Sequence, residues 1–283
     1  MHKKKWRFLE TGKGSAVFNM ALDEAMMRRA ERSGSFPVFR VYGWEPPAIT
    51  LGYSQDVHTI IDYDRCGADG IDVAVRPTGG RAVYHEHEIA YAIIAPIDDP
   101  HFGGSVMETY SRISRLLCDA LCRLGVRAVF TRGTVEHERQ HFADNAPCFM
   151  SVSRYEITCG GKKIVGSAQR RLKKVFLQHG SILTGHGQGK IAHYYRNRPD
   201  PNRLADIIEN RSANLQSILG ELFSNEAVSE ALFNRLVSAV GGEVVRSKPL
   251  DEELEFAERL IGQKLAAGSS RTKMETQLPI SDL

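Results

Sequence analysis

The chain has 283 residues, of which 42% are hydrophobic and 25% are charged, and its formal net charge is +3. These values are those of an ordinary globular protein, and the charge is too small to indicate nucleic-acid binding. No run of about eighteen apolar residues indicates a membrane span, and no apolar segment of a signal peptide follows the basic MHKKKWRF. We therefore expect a cytoplasmic protein with neither nucleic acid nor a membrane as its partner.

The five cysteines predict neither a disulfide framework nor a zinc site. Their number is odd, the chain is not small, and it contains no C-x-x-C spacing. Cys118 and Cys122 lie four apart on a predicted helix without further ligands nearby, so we interpret them as core residues. We expect no metal ion and no cofactor.

The first half of the chain predicts short strands and two long helices. Apolar residues at helical spacing predict helices at 15–32 and 106–124, and Gly125 stands where a glycine cap would end the second one. Runs bounded by turn residues predict strands at 6–9, 37–42, 48–53, 73–76, 82–84 and 89–94.

The second half predicts a hairpin, another strand and a helical C-terminal part. The hairpin strands at 155–159 and 162–168 are joined by Gly160-Gly161, a suitable two-residue turn. A strand is expected at 175–183, a loop at 193–203, and helices at 215–222, 226–240 and 250–266. This order of elements predicts an α+β fold. We expect a main domain at 1–200, a helical segment packed on it at 201–266, and a disordered tail at 267–283.

The stretch RPTGGRAVYHEHE at 76–88 predicts a loop suited to a ligand. Gly79 and Gly80 carry no side chain, so the backbone can approach a bound molecule closely. Arg76 and Arg81 offer planar forks of donors for a phosphate or a carboxylate. An ordinary glycine hairpin with solvated arginines remains the alternative. The chain contains no G-x-x-x-x-G-K-[ST] phosphate loop.

Two histidines follow this loop. His85 and His87 alternate, so on a strand both would face the same side, with Glu88 nearby. The sequence shows no convincing third and fourth ligand, which a metal site requires. We expect a pocket-lining or structural role for these histidines.

Cys148 lies in APCFMSVSRYE, just before the predicted hairpin. A buried cysteine most often acts as a small apolar side chain. The lysines of the hairpin offer another reading, because a neighbouring ammonium lowers the pKa of a thiol and favours the nucleophilic thiolate. Both readings stay open at this point.

The hairpin strand KKIVGSAQ begins with two lysines and continues with three small residues. Strand alternation places Lys163 one step further in than Lys162, which adjoins the turn, so periodicity favours Lys163 as the inward lysine. Gly166, Ser167 and Ala168 leave room for a chain of atoms to lie against the backbone.

Five stretches together resemble the superfamily of lipoate-protein ligase A, octanoyltransferases and biotin ligases. They are NMALDEAM (19–26), TLGYSQ (50–55), RPTGGRAVYH (76–85), KKIVGSAQ (162–169) and LQHGSI (177–182). The resemblance implies a central mixed sheet flanked by helices, a catalytic domain at 1–200, and a narrow acyl tunnel. It places Lys163 next to the acyl carbonyl. It implies substrate binding by Arg76, Thr78, Gly79, Gly80, Arg81, Ala82, His85, Gly166, Ser167, Ala168, His179 and Gly180.

The position of Cys148 resembles the Gram-positive-type octanoyltransferases, whose nucleophilic cysteine precedes the K-x-x-G-S-A strand. This resemblance implies octanoyl transfer from octanoyl-acyl carrier protein to the lysine of a lipoyl domain, such as glycine cleavage H protein. Cys148 would carry the acyl group as a thioester, with Lys163 beside it. A basic rim would attract these acidic partners, and we expect it to comprise Arg76, Arg170, Arg171, Lys173 and Lys174.

Three alternatives remain. An ATP-dependent lipoate ligase would activate the free acid as an acyl-adenylate and would not need Cys148. An amidotransferase would move octanoate between two lipoyl-domain proteins. A non-catalytic protein would only bind an acyl chain on the same scaffold.

Overall fold

The computed structural model describes residues 5–34, 36–132, 155–196, 200–220 and 224–275. Its strands are β1 (Trp6–Gly14), β2 (Val38–Trp44), β3 (Ala48–Leu51), β4 (Asp72–Val75), β5 (Val83–His85), β6 (Glu88–Pro96), β7 (Val129–Arg132), β8 (Tyr155–Cys159), β9 (Lys162–Arg171), β10 (Val175–Leu183) and β11 (Val244–Ser247). Its helices are α1 (Ala16–Ser33), α2 (Val57–Ile60), α3 (Tyr63–Ala68), α4 (Val106–Arg123), α5 (Pro201–Arg211), α6 (Leu215–Leu219), α7 (Asn225–Val240) and α8 (Asp251–Glu275), with a 3-10 helix at Gln188–Tyr194.

The strands form two sheets. The larger one has eight strands in the order β11-β1-β2-β6-β10-β9-β8-β7. In it β1 runs parallel to β11 and β2, whereas the pairs from β2 to β7 are antiparallel. The smaller sheet has the order β4-β3-β5. A mixed sheet with helices on its faces confirms the predicted α+β fold.

Both long helices of the first half begin at the caps that the sequence supplies. Ser15 accepts a hydrogen bond from the Phe18 amide at the start of α1, and Gly34 ends this helix in the left-handed conformation. Ser105 and Glu108 form a capping box at the start of α4. These local signals explain why the predicted helices agree with the structure.

The two faces of the large sheet bury separate cores. One core packs α4 and α7 against aromatic residues of the sheet, including Phe39, Tyr91 and Phe176. On the opposite face α1 and α8 pack against residues such as Tyr42 and Leu177. A third core joins the small sheet to the 3-10 helix and α5. The candidate site lies where the second and third cores adjoin.

The structure contains elements that the sequence did not predict. They are α2, α3, β7, the 3-10 helix, α5 and β11. The loop predicted at 193–203 is wrong at its end, because Asp200 caps α5 and Pro201 occupies its first turn, where proline costs no hydrogen bond. Helix α8 runs to Glu275, beyond its predicted end at Ala266. None of the described helices is long and apolar enough to cross a membrane.

Candidate active site

An open pocket lies between strands β9 and β10, the loop at 76–81, and the elements α1 and β2. Its empty volume is ≈ 510 Å³, its mouth included. Its lining residues are Met20, Tyr42, Trp44, Thr50, Arg76, Gly80, Val83, His85, Gly166, Ser167, Ala168, His179, Gly180 and Ser181.

The lining includes most of the residues that the sequence nominated as substrate-binding. The sequence missed Met20, although it lies in the NMALDEAM motif, and it missed five others. These are Tyr42, Trp44, Thr50, Val83 and Ser181. Thr50, Val83 and Ser181 lie within quoted motifs, as Met20 does, whereas for Tyr42 and Trp44 on β2 the alternation of the strand was the available signal.

Arg76 is buried and holds its own loop together. Its Nη2 donates to the carbonyl oxygens of Gly79 (2.9 Å) and Arg81 (2.7 Å), and its Nη1 donates to the Thr50 carbonyl (3.0 Å). The donors expected to bind an anion are therefore engaged by backbone carbonyls. The expectation that Arg76 belongs to an exposed basic rim is wrong, because its side chain must reach inward to make these bonds.

The remaining residues of the nominated loop support it from behind. Thr78 is fully buried, and its carbonyl accepts the amide of Tyr53 at 3.0 Å. Ala82 is buried in the third core. Gly80 has φ +98°, a conformation that side chains rarely adopt, so this turn requires glycine. Gly79 and Arg81 are half-buried and do not line the pocket.

Asp23, His179 and Thr78 form a buried hydrogen-bonded chain, which we call the first relay. The Asp23 carboxylate lies 3.0 Å from His179 Nδ1, and His179 Nε2 lies 2.6 Å from the Thr78 hydroxyl. Arg40 Nη1 donates to the same carboxylate at 2.7 Å, and the Tyr42 hydroxyl donates at 3.0 Å. The chain runs from α1 through β10 to the loop at 76–81.

The charge states of the first relay follow from its surroundings. Burial raises the pKa of Asp23, but Arg40 and His179 outweigh this effect, so the pKa lies below 3.8. Burial lowers the pKa of His179 below 6.5, against the opposing influence of Asp23. His179 is therefore neutral, donates through Nδ1 to Asp23, and accepts the Thr78 hydroxyl through Nε2.

Glu88, His85 and Thr50 form a second relay, which has glutamate in place of aspartate. Glu88 Oε1 accepts hydrogen bonds from His85 Nδ1 (2.7 Å), Trp44 Nε1 (2.8 Å) and Ser181 Oγ (2.6 Å). His85 Nε2 lies 2.7 Å from the Thr50 hydroxyl, and the His85 ring stacks on Trp44 at a centroid distance of 4.1 Å. In the sequence, Asp23 lay within the NMALDEAM motif and Glu88 was considered only as a neighbour of the two histidines, whereas Arg40 lay in none of the motifs.

His85 and His87, which strand alternation would place on one face, lie in different environments in the structure. Strand β5 ends at His85, which is buried, whereas His87 lies in the following turn and is exposed. The alternation that would have aligned them therefore does not continue to His87. Within the ranges described above, no cluster of three or more His, Cys, Asp or Glu side chains could hold a metal ion.

Lys163 is the buried lysine of the pair that opens β9, as periodicity predicted, and Lys162 is exposed. Lys163 Nζ lies 3.1 Å from Glu156 Oε1 on the neighbouring strand β8. The Lys163 carbonyl accepts the amide of Ala213 at 2.8 Å, which fixes the start of β9. Lys163 does not itself line the pocket, although the small residues that follow it on β9 do. Cys148 lies outside the described residues.

The wall formed by β9 and β10 depends on small residues. A Cβ atom on Gly180 would lie 2.1 Å from the Gly166 carbonyl oxygen, so no other residue fits there. The Ser167 hydroxyl lies 2.7 Å from the Tyr91 hydroxyl, which ties β9 to β6 across the intervening strand. Together these contacts leave an open strip of backbone along the pocket.

Comparison with solved structures shows which fold the chain has. A bipartite lipoate-protein ligase from Thermoplasma acidophilum superposes with a TM-score of 0.73 over 92% of each chain, at 21% identity. Lipoate-protein ligase A bound with ATP gives a TM-score of 0.72 over 92% of this chain and 94% of its own, at 22% identity. At this level of identity the likeness shows the fold alone.

Comparison of sequences shows the family. The model of the lipoyl protein ligase A/B catalytic domain matches residues 15–237. An octanoyltransferase LipM from Kyrpidia tusciae is 41% identical over 265 residues, which span 92% of this chain and 96% of that protein. The octanoyltransferase LipM of Bacillus subtilis is 30% identical over 94% of this chain and 98% of its own. The chain belongs to the lipoyl protein ligase A/B catalytic domain family, as the sequence motifs predicted.

Proposed function

We propose that this chain is an octanoyltransferase of protein lipoylation. It transfers an octanoyl group from octanoyl-acyl carrier protein to the lysine of a lipoyl domain, such as that of glycine cleavage H protein. The observation that carries the proposal is the pocket lined by Gly166, Ser167 and Ala168, on the strand β9 that also carries Lys163. Relatives that span almost the whole chain and are named octanoyltransferase support it.

The pocket suits an acyl chain. Its walls combine the open backbone of β9 with apolar surface from Met20, Trp44 and Val83. Each methylene group that moves from water into such a site contributes about 0.8 kcal/mol to binding. An eight-carbon chain therefore gains much of its affinity here without any charged contact.

The transfer proceeds in two steps through Cys148. The Cys148 thiolate attacks the thioester carbonyl of the donor, a new C–S bond forms, and the carrier's thiol leaves with the proton that Cys148 gave up. The amine of the lipoyl lysine then attacks the octanoyl-cysteine, the amide C–N bond forms, and the Cys148 thiolate leaves and recovers a proton from the amine. A cysteine nucleophile divides one acyl transfer into two easier ones.

Lys163 supplies positive charge to this reaction. Its ammonium is held in place by Glu156 and by the buried surroundings of β9. A fixed cation near the reacting atoms favours the Cys148 thiolate and stabilises the oxygen that becomes negative when the thioester is attacked. Lys162, which precedes it, is exposed, and we assign it no role in the reaction.

Exposed basic side chains favour acidic partner proteins. Lys173 and Lys174 are exposed on the turn between β9 and β10. Arg170 donates to the Pro77 carbonyl at 2.8 Å and so adjoins the loop at 76–81. Such a group accelerates the encounter with an acidic carrier protein or lipoyl domain. The reaction belongs in the cytoplasm, where the thiol of Cys148 stays reduced.

The test separates this reaction from its rivals by supplying one acyl source at a time. The purified protein is incubated with an apo lipoyl domain and either octanoyl-acyl carrier protein, an octanoylated lipoyl-domain protein, or octanoate with ATP. We expect octanoylation of the acceptor from the carrier protein without ATP. Octanoylation only from free acid and ATP would make the chain a ligase. Transfer only from another lipoyl domain would make it an amidotransferase. If no source gave transfer, the chain would be a non-catalytic protein that only binds an acyl chain.

A further inference from the structure

We propose that the two relays are positioning devices that hold the loop at 76–81 against β10 and β3, and that Asp23 and Glu88 are their fixed ends. The inference rests on the proposed function and deepens it, because it names residues that set acyl binding without contacting the reacting atoms. The first relay reaches the loop at Thr78, and the second reaches it through Thr50, whose carbonyl accepts from Arg76.

The loop requires such support because its own sequence cannot fix it. It lies between β4 and β5 and belongs to neither, and Gly79 and Gly80 at its tip restrict the backbone little. Arg76 ties the two sides of the loop to each other, but these bonds stay within the loop and its immediate neighbour Thr50. The relays link it to the sheet and to α1.

The carboxylate ends of the relays are anchored independently of the loop. Asp23 is fixed by Arg40 and Tyr42, and all three side chains are buried. Glu88 is fixed at the start of β6 by Trp44 and Ser181, on the strands β2 and β10. Each relay therefore fixes one side of the loop relative to the large sheet.

The direction of the hydrogen bonds sets a chemical requirement at each threonine. The Asp23 carboxylate on Nδ1 of His179 holds this histidine in the tautomer whose Nε2 carries no proton, so the Thr78 hydroxyl donates to it. The Thr50 hydroxyl shares the corresponding hydrogen bond with His85 Nε2. Serine can replace either threonine in this role, whereas valine has the same shape and no hydroxyl.

The experiment compares Thr78→Val and Thr50→Val with Thr78→Ser and Thr50→Ser in the octanoyl-transfer assay. We expect each valine variant to raise KM for octanoyl-acyl carrier protein about three- to ten-fold, the effect of one lost buried hydrogen bond. The value of kcat should stay within about two-fold, because the loop binds the chain and does not react. Each serine variant should restore KM to near the wild-type value.

A readout that does not depend on activity accompanies these kinetics. Hydrogen exchange is measured at the Tyr53 amide, which donates to the Thr78 carbonyl, and at the Arg76 amide, which donates to the Leu51 carbonyl. We expect both amides to exchange at least about ten-fold faster in the valine variants, because the loop opens more often. If wild type does not transfer octanoyl from the carrier protein, the proposed function fails, and amide exchange still decides the role of the relays.

The matched control is Thr109→Val on α4. The Thr109 hydroxyl is buried and has no hydrogen-bond partner in the part of the chain that the structure describes, and it lies outside the pocket lining. This variant should leave KM and the exchange of both amides unchanged. Valine variants at Thr78 and Thr50 with wild-type KM and wild-type exchange would overturn the proposal. Serine variants as impaired as the valine variants would overturn it as well.

Discussion

The ammonium of Lys163 lies 3.1 Å from a carboxylate oxygen of Glu156, and both side chains are largely buried. The two residues come from neighbouring strands, β9 and β8, so the sheet itself brings them together. The carboxylate holds the buried ammonium in one direction. This arrangement distinguishes Lys163 from the exposed Lys162 next to it.

Removing the Lys163 ammonium should stop catalysis. We expect Lys163→Ala to lower the rate of octanoyl transfer by at least about 100-fold, the usual effect of losing a preorganised charge from an active site. Lys162→Ala is the matched control, because it removes an equal charge from the neighbouring exposed position. Steady-state transfer to a lipoyl domain measures both. Comparable rates for the two variants would contradict the assignment of Lys163.

Neutralising Glu156 should destabilise the protein. Glu156→Gln removes a countercharge of the buried Lys163 ammonium, and we expect the free energy of unfolding to fall by about 1–3 kcal/mol. Urea unfolding at pH 7 measures the change. Glu45→Gln serves for comparison, because Glu45 pairs with Lys13 on the surface, where both side chains are more than half exposed. A surface pair contributes little, so this control should unfold like wild type.

The pH dependence of stability should report the neutral state of His179. Its pKa in the folded protein is lowered, so below about pH 6.5 the unfolded chain binds a proton that the folded protein does not. Stability should therefore fall as the pH drops from 7 to 5, with a limiting slope of about 1.4 kcal/mol per pH unit from this group. The lowered pKa of Asp23 acts only below 3.8, outside this window.

The variant His179→Gln isolates this contribution. It cannot titrate, so its stability should change less between pH 7 and pH 5 than that of wild type. The residues Asp23, Arg40, Arg76 and His85, which face position 179, are present in both proteins. Parallel curves of unfolding free energy against pH would show that His179 does not exclude a proton on folding.

The glycine at position 180 should tolerate no side chain. The Cβ atom of Gly180→Ala would lie 2.1 Å from the Gly166 carbonyl oxygen, so β9 must move and the pocket wall with it. We expect a loss of about 3 kcal/mol in stability and a rise in KM for the octanoyl donor. Gly67→Ala on α3 should be neutral or slightly stabilising, because an added Cβ meets no atom within 4 Å there. Equal stability of the two variants would contradict the close approach of the strands.

Much of the fold could be predicted from local sequence signals. Helix α1 has a serine cap and a glycine stop, and the hairpin β8–β9 has its Gly160-Gly161 turn, so each signal lies within the element that it defines. Helix α5 was missed because Asp200 and Pro201, which begin it, resemble a loop when the packing of the helix is not known.

The candidate site was predictable only where its residues form motifs. The small residues of β9 form one continuous stretch of sequence and the loop at 76–81 forms another, so each could be recognised as a motif. Asp23 and His179 are 156 positions apart in the sequence, and only the folded structure brings them together. Arg76 shows the reverse case, since its sequence motif suggested an anion ligand and its hydrogen bonds show a loop support.

The most direct test of the proposed function is the intact mass of the protein after incubation with octanoyl-acyl carrier protein without ATP. Wild type and Cys148→Ser are run side by side, and each sample is then treated with neutral hydroxylamine, which cleaves thioesters. We expect wild type to gain the mass of one octanoyl group, to lose it in hydroxylamine, and to pass it to an added lipoyl domain, whereas Cys148→Ser gains nothing. An unmodified wild type that still octanoylates the lipoyl domain, or a Cys148→Ser variant that transfers at the wild-type rate, would contradict the thioester route.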